Sequence, residues 1–252
     1  MRDWLKGVLV VTIALSATTL WAQPLVAADD ADNPPYADNI WDLTDNGGFG
    51  FGNWYEISTG GGGRFIATAS FQVLEGNRSW GLYAGNGNYA IGRPLLDHRS
   101  SGILSVLARH NVNNEVGFTG IAVYSGANEV IRFGMNPSSG NQAVFYQFGQ
   151  NTGSINLGIE LRGAPLRYTL TWDSSGNFVL SVARLNGPES GSASGNWGGG
   201  VSVSAFGFLN YNSGSFQDLI FDKIEVVPEP ASILALGAGL SGLLTLRRRR
   251  TA

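Results

Sequence analysis

The sequence predicts an all-β protein: a two-sheet antiparallel β-sandwich of the jelly-roll type, flanked by an apolar helix at each end. Short apolar or alternating runs recur along the chain with Gly, Asn and Ser between them, which is the pattern of strands and turns. No segment of the body carries the sustained 3.6-residue stripe of an amphipathic helix. A sandwich is favoured over a propeller or a solenoid because the chain shows no internal repeat.

Eleven segments fit the strand pattern. In Leu166–Trp172 apolar and polar side chains alternate, as a half-solvated antiparallel strand requires. The turn-forming residues Asp173–Gly176 then lead into Phe178–Leu185, which predicts a hairpin. The predicted strands are Arg64–Phe71, Trp80–Ala84, Ile103–Arg109, Val116–Tyr124, Val130–Met135, Ala143–Phe148, Ile155–Leu161, Leu166–Trp172, Phe178–Leu185, Val201–Leu209 and Leu219–Val227.

The N-terminus has the pattern of a secretory signal peptide. Arg2 and Lys6 precede the apolar run Val8–Trp21, and small residues up to Ala28 supply a cleavage sequence. We therefore expect a signal helix within residues 1–28, removed by signal peptidase near Ala28. The alternative is an uncleaved membrane anchor, which the short apolar core and the following proline disfavour.

Residues 227–252 form a tail of three parts. Pro228, Glu229 and Pro230 precede the uncharged run Ala231–Leu246. As a helix this run spans about 24 Å, short of the roughly 30 Å hydrocarbon core, so that membrane residence is marginal. The prolines keep the backbone before it extended, a conformation that a protease can bind. The tail closes with a basic cluster, which holds the end on the cytoplasmic side: Arg247, Arg248, Arg249 and Arg250.

This order of Pro-Glu-Pro motif, apolar helix and arginine cluster resembles the PEP-CTERM sorting signal of Gram-negative bacteria. The resemblance implies recognition by an exosortase, a membrane-embedded cysteine transpeptidase that cuts at or near the motif. It also implies delivery to the cell surface or the exopolysaccharide matrix, with the C-terminal transmembrane helix in the inner membrane only transiently. The alternative, a permanent tail anchor, makes no use of the position of the Pro-Glu-Pro motif.

Residues 29–226 are expected to form one exported β-sandwich domain without catalytic residues. The domain is acidic and Lys223 is its only lysine, which argues against a nucleic-acid partner because neutralising phosphates needs basic clusters. The chain has no cysteine, so that the fold depends on packing without disulfides. Its two histidines have no metal-binding spacing, no GxSxG elbow occurs and the glutamates are scattered singly. We therefore predict that the protein is not an enzyme.

Two parts of the body resemble known families. The hairpin at Leu166–Leu185 and the closing strand Phe216–Val226 are similar to the last strands of concanavalin-A-like lectin and carbohydrate-binding sandwiches. The stretch Asp45–Trp54, followed by Ser79–Ala84 and Arg93-Pro94, resembles a body type that recurs among PEP-CTERM proteins. That second resemblance carries no assigned chemistry.

Three aromatic residues are candidates for stacking on a sugar ring: Trp197, Tyr211 and Tyr89. Each lies next to asparagine in a polar segment that supplies hydrogen-bonding groups for sugars, and Trp197 also lies next to glycine. Trp197 is the strongest candidate because Gly198–Gly200 leave its ring little local cover. The alternative for each ring is packing over the end of a sheet.

Asp222 is the candidate metal ligand. It shares one face of the last predicted strand with apolar residues, which predicts a carboxylate that points into the core and needs a partner. The resemblance to carbohydrate-binding sandwiches implies a structural calcium at this position. Backbone capping by Asp222, or pairing with an arginine, is the alternative. The loop oxygens proposed to complete a calcium site lie near Asp42, Asp45 and Asn46.

Together these features predict an exported, exosortase-processed protein of the cell surface or exopolysaccharide matrix, acting as a non-catalytic module that adheres or associates with extracellular polysaccharide. One alternative is a structural matrix protein without a defined ligand, which the Gly/Asn/Ser-rich surface fits equally well. The other is a glycan-cleaving enzyme, which requires two carboxylates that face each other across a groove.

Overall fold

The structure is a computed structural model that describes residues 25–85, 87–111, 117–136, 140–212 and 217–229. These residues form fifteen β-strands and one turn of 3₁₀ helix at Pro34–Tyr36. The strands are β1 (Ala27–Asp29), β2 (Tyr55–Gly60), β3 (Gly63–Ala67), β4 (Ser79–Tyr83), β5 (Asn88–Arg99), β6 (Gly102–His110), β7 (Phe118–Ser125), β8 (Asn128–Met135), β9 (Ala143–Phe148), β10 (Asn151–Asn156), β11 (Leu166–Trp172), β12 (Asn177–Arg184), β13 (Ser190–Asn196), β14 (Val203–Tyr211) and β15 (Leu219–Val227).

The strands form two antiparallel sheets that pack face to face. The first sheet has the order β13-β12-β11-β6-β15-β4-β3, and β1 also pairs with β15. The second has the order β10-β9-β8-β7-β14-β5-β2. β14 lies between β5 and β7, and β15 between β6 and β4, so that the last two strands complete both sheets. The predicted antiparallel sandwich of jelly-roll type is confirmed.

The two predicted terminal helices lie outside the described residues, as do residues 1–24 and 230–252 as a whole. Within the part of the chain that the structure describes, no helix is long and apolar enough to span a membrane.

Several strands differ from the sequence pattern. β1, β2, β5 and β13 do not appear among the predicted strands, and β10 occupies Asn151–Asn156 rather than Ile155–Leu161. β5 does not show the apolar pattern of a buried strand, because a charged residue, Arg93, occupies a buried position and is followed by Pro94. β13 is an edge strand built from serine, glycine, alanine and asparagine, which leaves no apolar period to detect.

Aromatic rings fill the core between the sheets near β4, β14 and β15. Phe208 and Phe221 stack with their ring centroids 3.8 Å apart and nearly parallel planes. Trp54 and Trp80 pack edge to face at 5.4 Å, and both contact Phe221. These large buried rings supply the apolar area that a disulfide-free domain needs.

A buried ion pair joins β1 to this core. The guanidinium of Arg93 on β5 is fully buried and pairs with the equally buried carboxylate of Asp29. Arg93 also donates to the carbonyl oxygen of Gly52 at 2.5 Å and to Oδ1 of Asn46 at 2.8 Å. Its guanidinium carbon lies 4.5 Å from the ring centroid of Trp54. One arginine therefore holds the N-terminal strand, the following loop and the aromatic core together.

The chain enters and leaves the sandwich at the same place. β1 runs antiparallel to β15, with Ala27 opposite Val226, and the Val26 N–H donates to the Val226 carbonyl oxygen at 2.7 Å. The turn between β5 and β6, which joins Arg99 to Gly102, lies at this same end because Val227 pairs with Ile103. We call this end of the sandwich the exit end.

Replacing Arg93 with methionine is expected to lower the free energy of unfolding by about 3–5 kcal/mol, because the Asp29 carboxylate stays buried without its partner. Urea unfolding monitored by tryptophan fluorescence measures this change. The matched control is Arg184→Met, which removes the partly exposed pair with Glu189 and is expected to cost no more than about 1 kcal/mol. Equal losses in the two variants would contradict the role given to Arg93.

Candidate functional site

An open cleft of about 410 Å³ lies at the exit end of the sandwich. Three connections form it: Ser125–Val130 between β7 and β8, Phe148–Asn151 between β9 and β10, and Asn196–Val201 between β13 and β14. Their position follows from the strand register, since Val203 pairs with Arg99 at the exit end. We call this surface the Trp197 cleft.

Trp197 forms one wall of the cleft. Its side chain is half-buried, and its ring stacks on Phe178 with a centroid distance of 5.2 Å and an interplanar angle of 18°. Its backbone N–H donates to the Gly176 carbonyl oxygen at 3.0 Å. The indole Nε1–H is buried and has no acceptor within the described residues. The ring is therefore held in place, and it keeps an unused donor.

The loop that carries Trp197 is shaped by its neighbours. Gly198 and Gly200 have φ angles of +93° and +81°, which favour glycine. The Asn196 side-chain oxygen accepts from the Gly198 N–H at 2.7 Å, and its amide donates to Asn177 at 2.7 Å. The sequence Gly195–Gly200 therefore produces a fixed turn rather than an unstructured glycine run.

Polar side chains complete the cleft. Asn128 and Asn151 are exposed, and their side-chain amides make no hydrogen bond within the described chain. Glu129 is the only carboxylate among the described residues that line the cleft, and it accepts from Arg132 Nε at 2.6 Å. An aromatic ring beside asparagine amides and one ion-paired carboxylate can hold a polyhydroxylated ligand through stacking and hydrogen bonds.

Tyr211 lies elsewhere, on the outer face of the second sheet. It is half-buried and packs over a small apolar cluster that includes Leu209 and Ala90, together with Tyr124. Burial raises the pKa of Tyr211 and of Tyr124, and the charge of Glu129 adds to both shifts. Glu129 therefore lies close to both the Trp197 cleft and this tyrosine-bearing face.

Two further tyrosines on this face were missed by the sequence analysis. The rings of Tyr55 and Tyr124 lie over the backbones of Gly92 and Gly207, since a Cβ at these glycines would come within 2.2 Å and 2.7 Å of the rings. Gly92 and Gly207 pair across β5 and β14. A tyrosine placed across from a glycine on a neighbouring strand indicates such packing. This arrangement can be recognised in a sequence only when the strand register is known.

Tyr89 does not fit the sugar-stacking prediction. Only 2% of the residue is exposed, and its ring belongs to the main core. Its hydroxyl donates to Glu56 Oε1 at 2.8 Å and accepts from Arg64 Nη1 at 2.8 Å. The tyrosine therefore offers no ring face to a ligand, because β5, which contains it, lies inside the second sheet rather than in a loop.

Asp222 is fully buried, as its strand position predicts, and its oxygens already accept hydrogen bonds. Oδ1 accepts from the N–H groups of Ala31 at 3.1 Å and Lys223 at 2.9 Å, and Oδ2 accepts from the Ser79 hydroxyl at 3.2 Å. These contacts correspond to the backbone-capping alternative. They join the N-terminal segment to a bulge in β15.

A lysine supplies the positive charge near Asp222. Lys223 has a φ of +51°, and its ammonium lies 2.5 Å from Asp30 Oδ2 and 3.6 Å from Glu75 Oε1. The hydrogen bond to Asp30 raises the pKa of Lys223. Among the described residues no group of three or more His, Cys, Asp or Glu side chains has a geometry to hold a metal ion.

Two of the three loop residues proposed to complete the calcium site, Asn46 and Asp45, have other side-chain partners. Asn46 Oδ1 accepts from Arg93, and Asp45 Oδ2 accepts from the Asp42 N–H at 2.7 Å. The donors around Asp222 therefore do not fit an oxygen shell for calcium.

The predicted processing sites stay predictions. Ala28 lies in β1 opposite Glu225, so that a cut after it would leave Asp29 with its Arg93 contact and remove the rest of the strand. Pro228 and Glu229 follow β15 directly and are half-buried. Pro230 and the arginine cluster Arg247–Arg250 lie outside the described residues.

Comparison with known proteins identifies the tail. Residues 226–250 match the model of the PEP-CTERM protein-sorting motif. This match confirms the sorting signal and implies an exported protein that undergoes membrane-associated sorting and processing by an exosortase. No curated protein sequence matches the chain.

The body is similar to solved structures in fold. The binding domain of Paraclostridial Mosquitocidal Protein 1 aligns with a TM-score of 0.52 and 15% identity, covering 81% of this chain and 49% of that one. The T. cruzi calreticulin globular domain aligns with a TM-score of 0.50 and 12% identity, covering 76% and 90%. Bacillus licheniformis β-glucanase aligns with a TM-score of 0.47 and 8% identity, covering 76% and 98%. At these identities the likeness shows the fold alone.

Calcium is expected to leave the stability of the domain unchanged, because the groups near Asp222 are satisfied by N–H and O–H donors and by the Lys223 ammonium. Melting curves in millimolar calcium and in EDTA measure this. A calcium-dependent rise in melting temperature that Asp222→Asn abolishes would restore the calcium hypothesis.

The pH dependence of stability is expected to show the burial of Asp222. Burial raises the pKa of Asp222 to about 7, so that between about pH 4 and pH 7 the folded state holds a proton that the unfolded state has lost. This contribution makes stability fall with rising pH, by up to about 4 kcal/mol across the window. Burial lowers the pKa of His110 to about 3, which acts in the opposite direction below about pH 6.5.

Asp222→Asn separates the two contributions, because the variant keeps His110. Urea unfolding at pH 4, 5, 6 and 7 is expected to show the variant gaining stability relative to the native protein as pH rises. A constant difference between the two proteins would contradict the raised pKa.

Proposed function

We propose that the protein is a non-catalytic surface or matrix module that binds extracellular polysaccharide through the Trp197 cleft. The sorting motif supports the location, since residues 226–250 direct export and membrane-associated processing. The observation that carries the binding proposal is the cleft itself, where a fixed indole ring stands beside the unpaired amides of Asn128 and Asn151. We further propose that the mature protein resides on the cell surface of a Gram-negative bacterium or in its exopolysaccharide matrix.

The electrostatics of the cleft favour a neutral or weakly charged sugar chain. Glu129 and Arg132 neutralise each other at 2.6 Å, and the amides of Asn128 and Asn151 accept and donate without net charge. The described residues that line the cleft offer a strongly anionic polymer no concentrated positive charge. Neutral sugars offer hydroxyl groups to the amides and an apolar ring face to Trp197.

The carboxylate inventory supports binding rather than cleavage. Glycoside hydrolysis uses two carboxyl groups about 5–10 Å apart. Glu129 is the only acid at the described part of the cleft wall, and its oxygen is engaged by Arg132. A glycoside hydrolase also requires a general acid with a raised pKa. We therefore propose that the cleft binds glycan without cleaving it.

Replacing Trp197 with alanine is expected to weaken binding to host exopolysaccharide by at least about tenfold, because a stacking ring at the centre of a small site carries much of its binding energy. Affinity electrophoresis of the folded domain measures the retardation. Trp197→Phe keeps a ring on Phe178 and is expected to retain part of the affinity.

The matched control is Phe71→Ala, which removes the most exposed of the described aromatic rings, outside the cleft, and is expected to leave retardation unchanged. Folding of each variant is checked by its urea midpoint. Absence of retardation for the folded native protein would reject the binding proposal and favour a structural matrix protein. Release of reducing sugar would favour a glycan-cleaving enzyme.

A further inference from the structure

The outer face of the second sheet carries a row of small residues. Gly92 on β5 lies opposite Gly207 on β14, which lies opposite Ala122 on β7. Neighbours along these strands, such as Ile91 and Phe208, belong to the main core, so that the row faces away from the core. Three adjacent strands therefore leave a shallow floor on which larger groups can lie.

Tyr55 packs on this floor. It is paired with Gly92, and a Cβ at this glycine would lie 2.2 Å from Cζ and 2.5 Å from Cε1 of the tyrosine. One side of the ring therefore lies against the backbone, which holds the ring in place. The residue is nevertheless 39% exposed. A ring that is supported on one side and open on the other can stack on the apolar face of a sugar ring.

Tyr124 and Ile57 lie beside Tyr55. Their atoms Cε2 and Cδ1 would be 2.7 Å and 3.1 Å from a Cβ at Gly207. Gly207 is paired with Gly92, and paired residues of antiparallel strands lie about 5 Å apart. The two tyrosine rings are therefore neighbours on the sheet.

The hydroxyl groups of three tyrosines lie close together on this face. Burial raises the pKa of Tyr124, and the charge of Glu129 adds to this shift. Tyr211 and Tyr55 contribute as well, which indicates that their hydroxyls are close to that of Tyr124. Within the described chain none of the three hydroxyls makes a hydrogen bond, so that each can donate to and accept from a ligand. We call the surface that Tyr55, Tyr124 and Tyr211 form the tyrosine face.

The tyrosine face is continuous with the Trp197 cleft. Ser125, which lines the cleft, directly follows Tyr124 in the chain. Glu129 also lines the cleft, and it is paired with Tyr124 across β7 and β8. The Glu129 carboxylate is held by Arg132 at 2.6 Å, so that the junction between the two surfaces carries no net charge.

The continuous surface is longer than one sugar residue. From Glu129 in β8 to the Tyr55 ring over β5, the path crosses β7 and β14. At about 4.8 Å per strand, these three steps cover about 14 Å. Several linked sugar residues span this distance, whereas a single sugar does not.

We propose that the tyrosine face and the Trp197 cleft form one binding path for a stretch of several linked neutral sugar residues, with Tyr55 as the stacking ring at the far end. This inference rests on the proposed function and defines its ligand as an extended chain. Trp197 and Tyr55 supply supported rings, and the tyrosine hydroxyls between them supply hydrogen bonds for sugar hydroxyl groups. The closed ion pair of Glu129 and Arg132 leaves this junction suited to an uncharged chain.

The dependence of affinity on oligosaccharide length tests the proposal. Disaccharides and octasaccharides are fractionated from host exopolysaccharide, and their affinities for the folded protein are measured by calorimetric titration. Tyr55→Ala is expected to weaken octasaccharide binding by about fivefold or more and to leave disaccharide binding unchanged. Trp197→Ala is expected to weaken the binding of both.

The matched control is Tyr83→Ala in β4 of the first sheet. Tyr83 is paired with Gly63, its ring lies against that glycine in the same way, and the residue is 48% exposed. This variant loses a comparable ring from the other sheet and is expected to keep both affinities. The urea midpoint of each variant checks its folding.

A second measurement uses the protein without an alanine substitution. In fluorotyrosine-labelled protein, the Tyr55 signal is assigned with Tyr55→Phe. Fluorine NMR is expected to show that this signal shifts with octasaccharide and stays in place with disaccharide. A Tyr55 signal that ignores octasaccharide would overturn the proposal.

The outcomes separate this inference from the proposed function. Octasaccharide binding that depends on Trp197 but is unchanged in Tyr55→Ala would overturn the extended path and leave the cleft as a binding site. Absence of binding of either oligosaccharide by the native protein would reject the proposed function and the path together. Self-association of the native protein that Tyr55→Ala abolishes would assign the tyrosine face to a second copy of the chain, and would also overturn the path.

Discussion

The structure depends on the buried ion pair between Asp29 and Arg93. Both side chains are inaccessible to water, so that each charge is tolerated only because the other is present. The pair holds β1 alongside β15. The additional contacts of Arg93 with Asn46 and Gly52 hold the segment between β1 and β2, which links the two sheets. The entry and the exit of the described chain are therefore side by side, because β1 pairs with β15.

Most of the fold could be predicted from the sequence because most strands bury one face. In β11 the alternation of buried and half-buried residues in the structure agrees with the alternation of apolar and polar residues in the sequence. β5 could not be predicted, because it buries the charged side chain of Arg93. That burial is stable only because Arg93 pairs with Asp29, which lies 64 positions away in the sequence. β13 could not be predicted because an edge strand of serine and glycine carries no signal of its own.

The candidate site was predictable only in part. Trp197 could be selected from its glycine-rich surroundings, but its partners come from the β7–β8 and β9–β10 connections, which only the register brings to the same end. Tyr89 has the same local composition and is buried, because β5 pairs on both sides with β2 and β14. Local sequence therefore describes what a side chain can do, whereas strand order decides whether it is exposed.

The carboxylate of Asp222 shows the same distinction. Its burial follows from strand periodicity, but its partners are two backbone N–H groups and a serine, contributed by the N-terminal segment, the β15 bulge and β4. The local bulge also directs Lys223 to Asp30 and Glu75, where an ammonium group provides the positive charge. Neither the bulge nor these contacts has a signature in the sequence.

An NMR titration of the folded domain with oligosaccharides cut from host exopolysaccharide tests directly whether the Trp197 cleft binds sugar. We expect the indole N–H signal of Trp197 and the backbone amides of Asn128, Asn151 and Gly198–Val201 to shift in a saturable manner, while the amides at the opposite end do not move. Shifts that are confined to other surfaces, with the Trp197 indole unchanged, would contradict it.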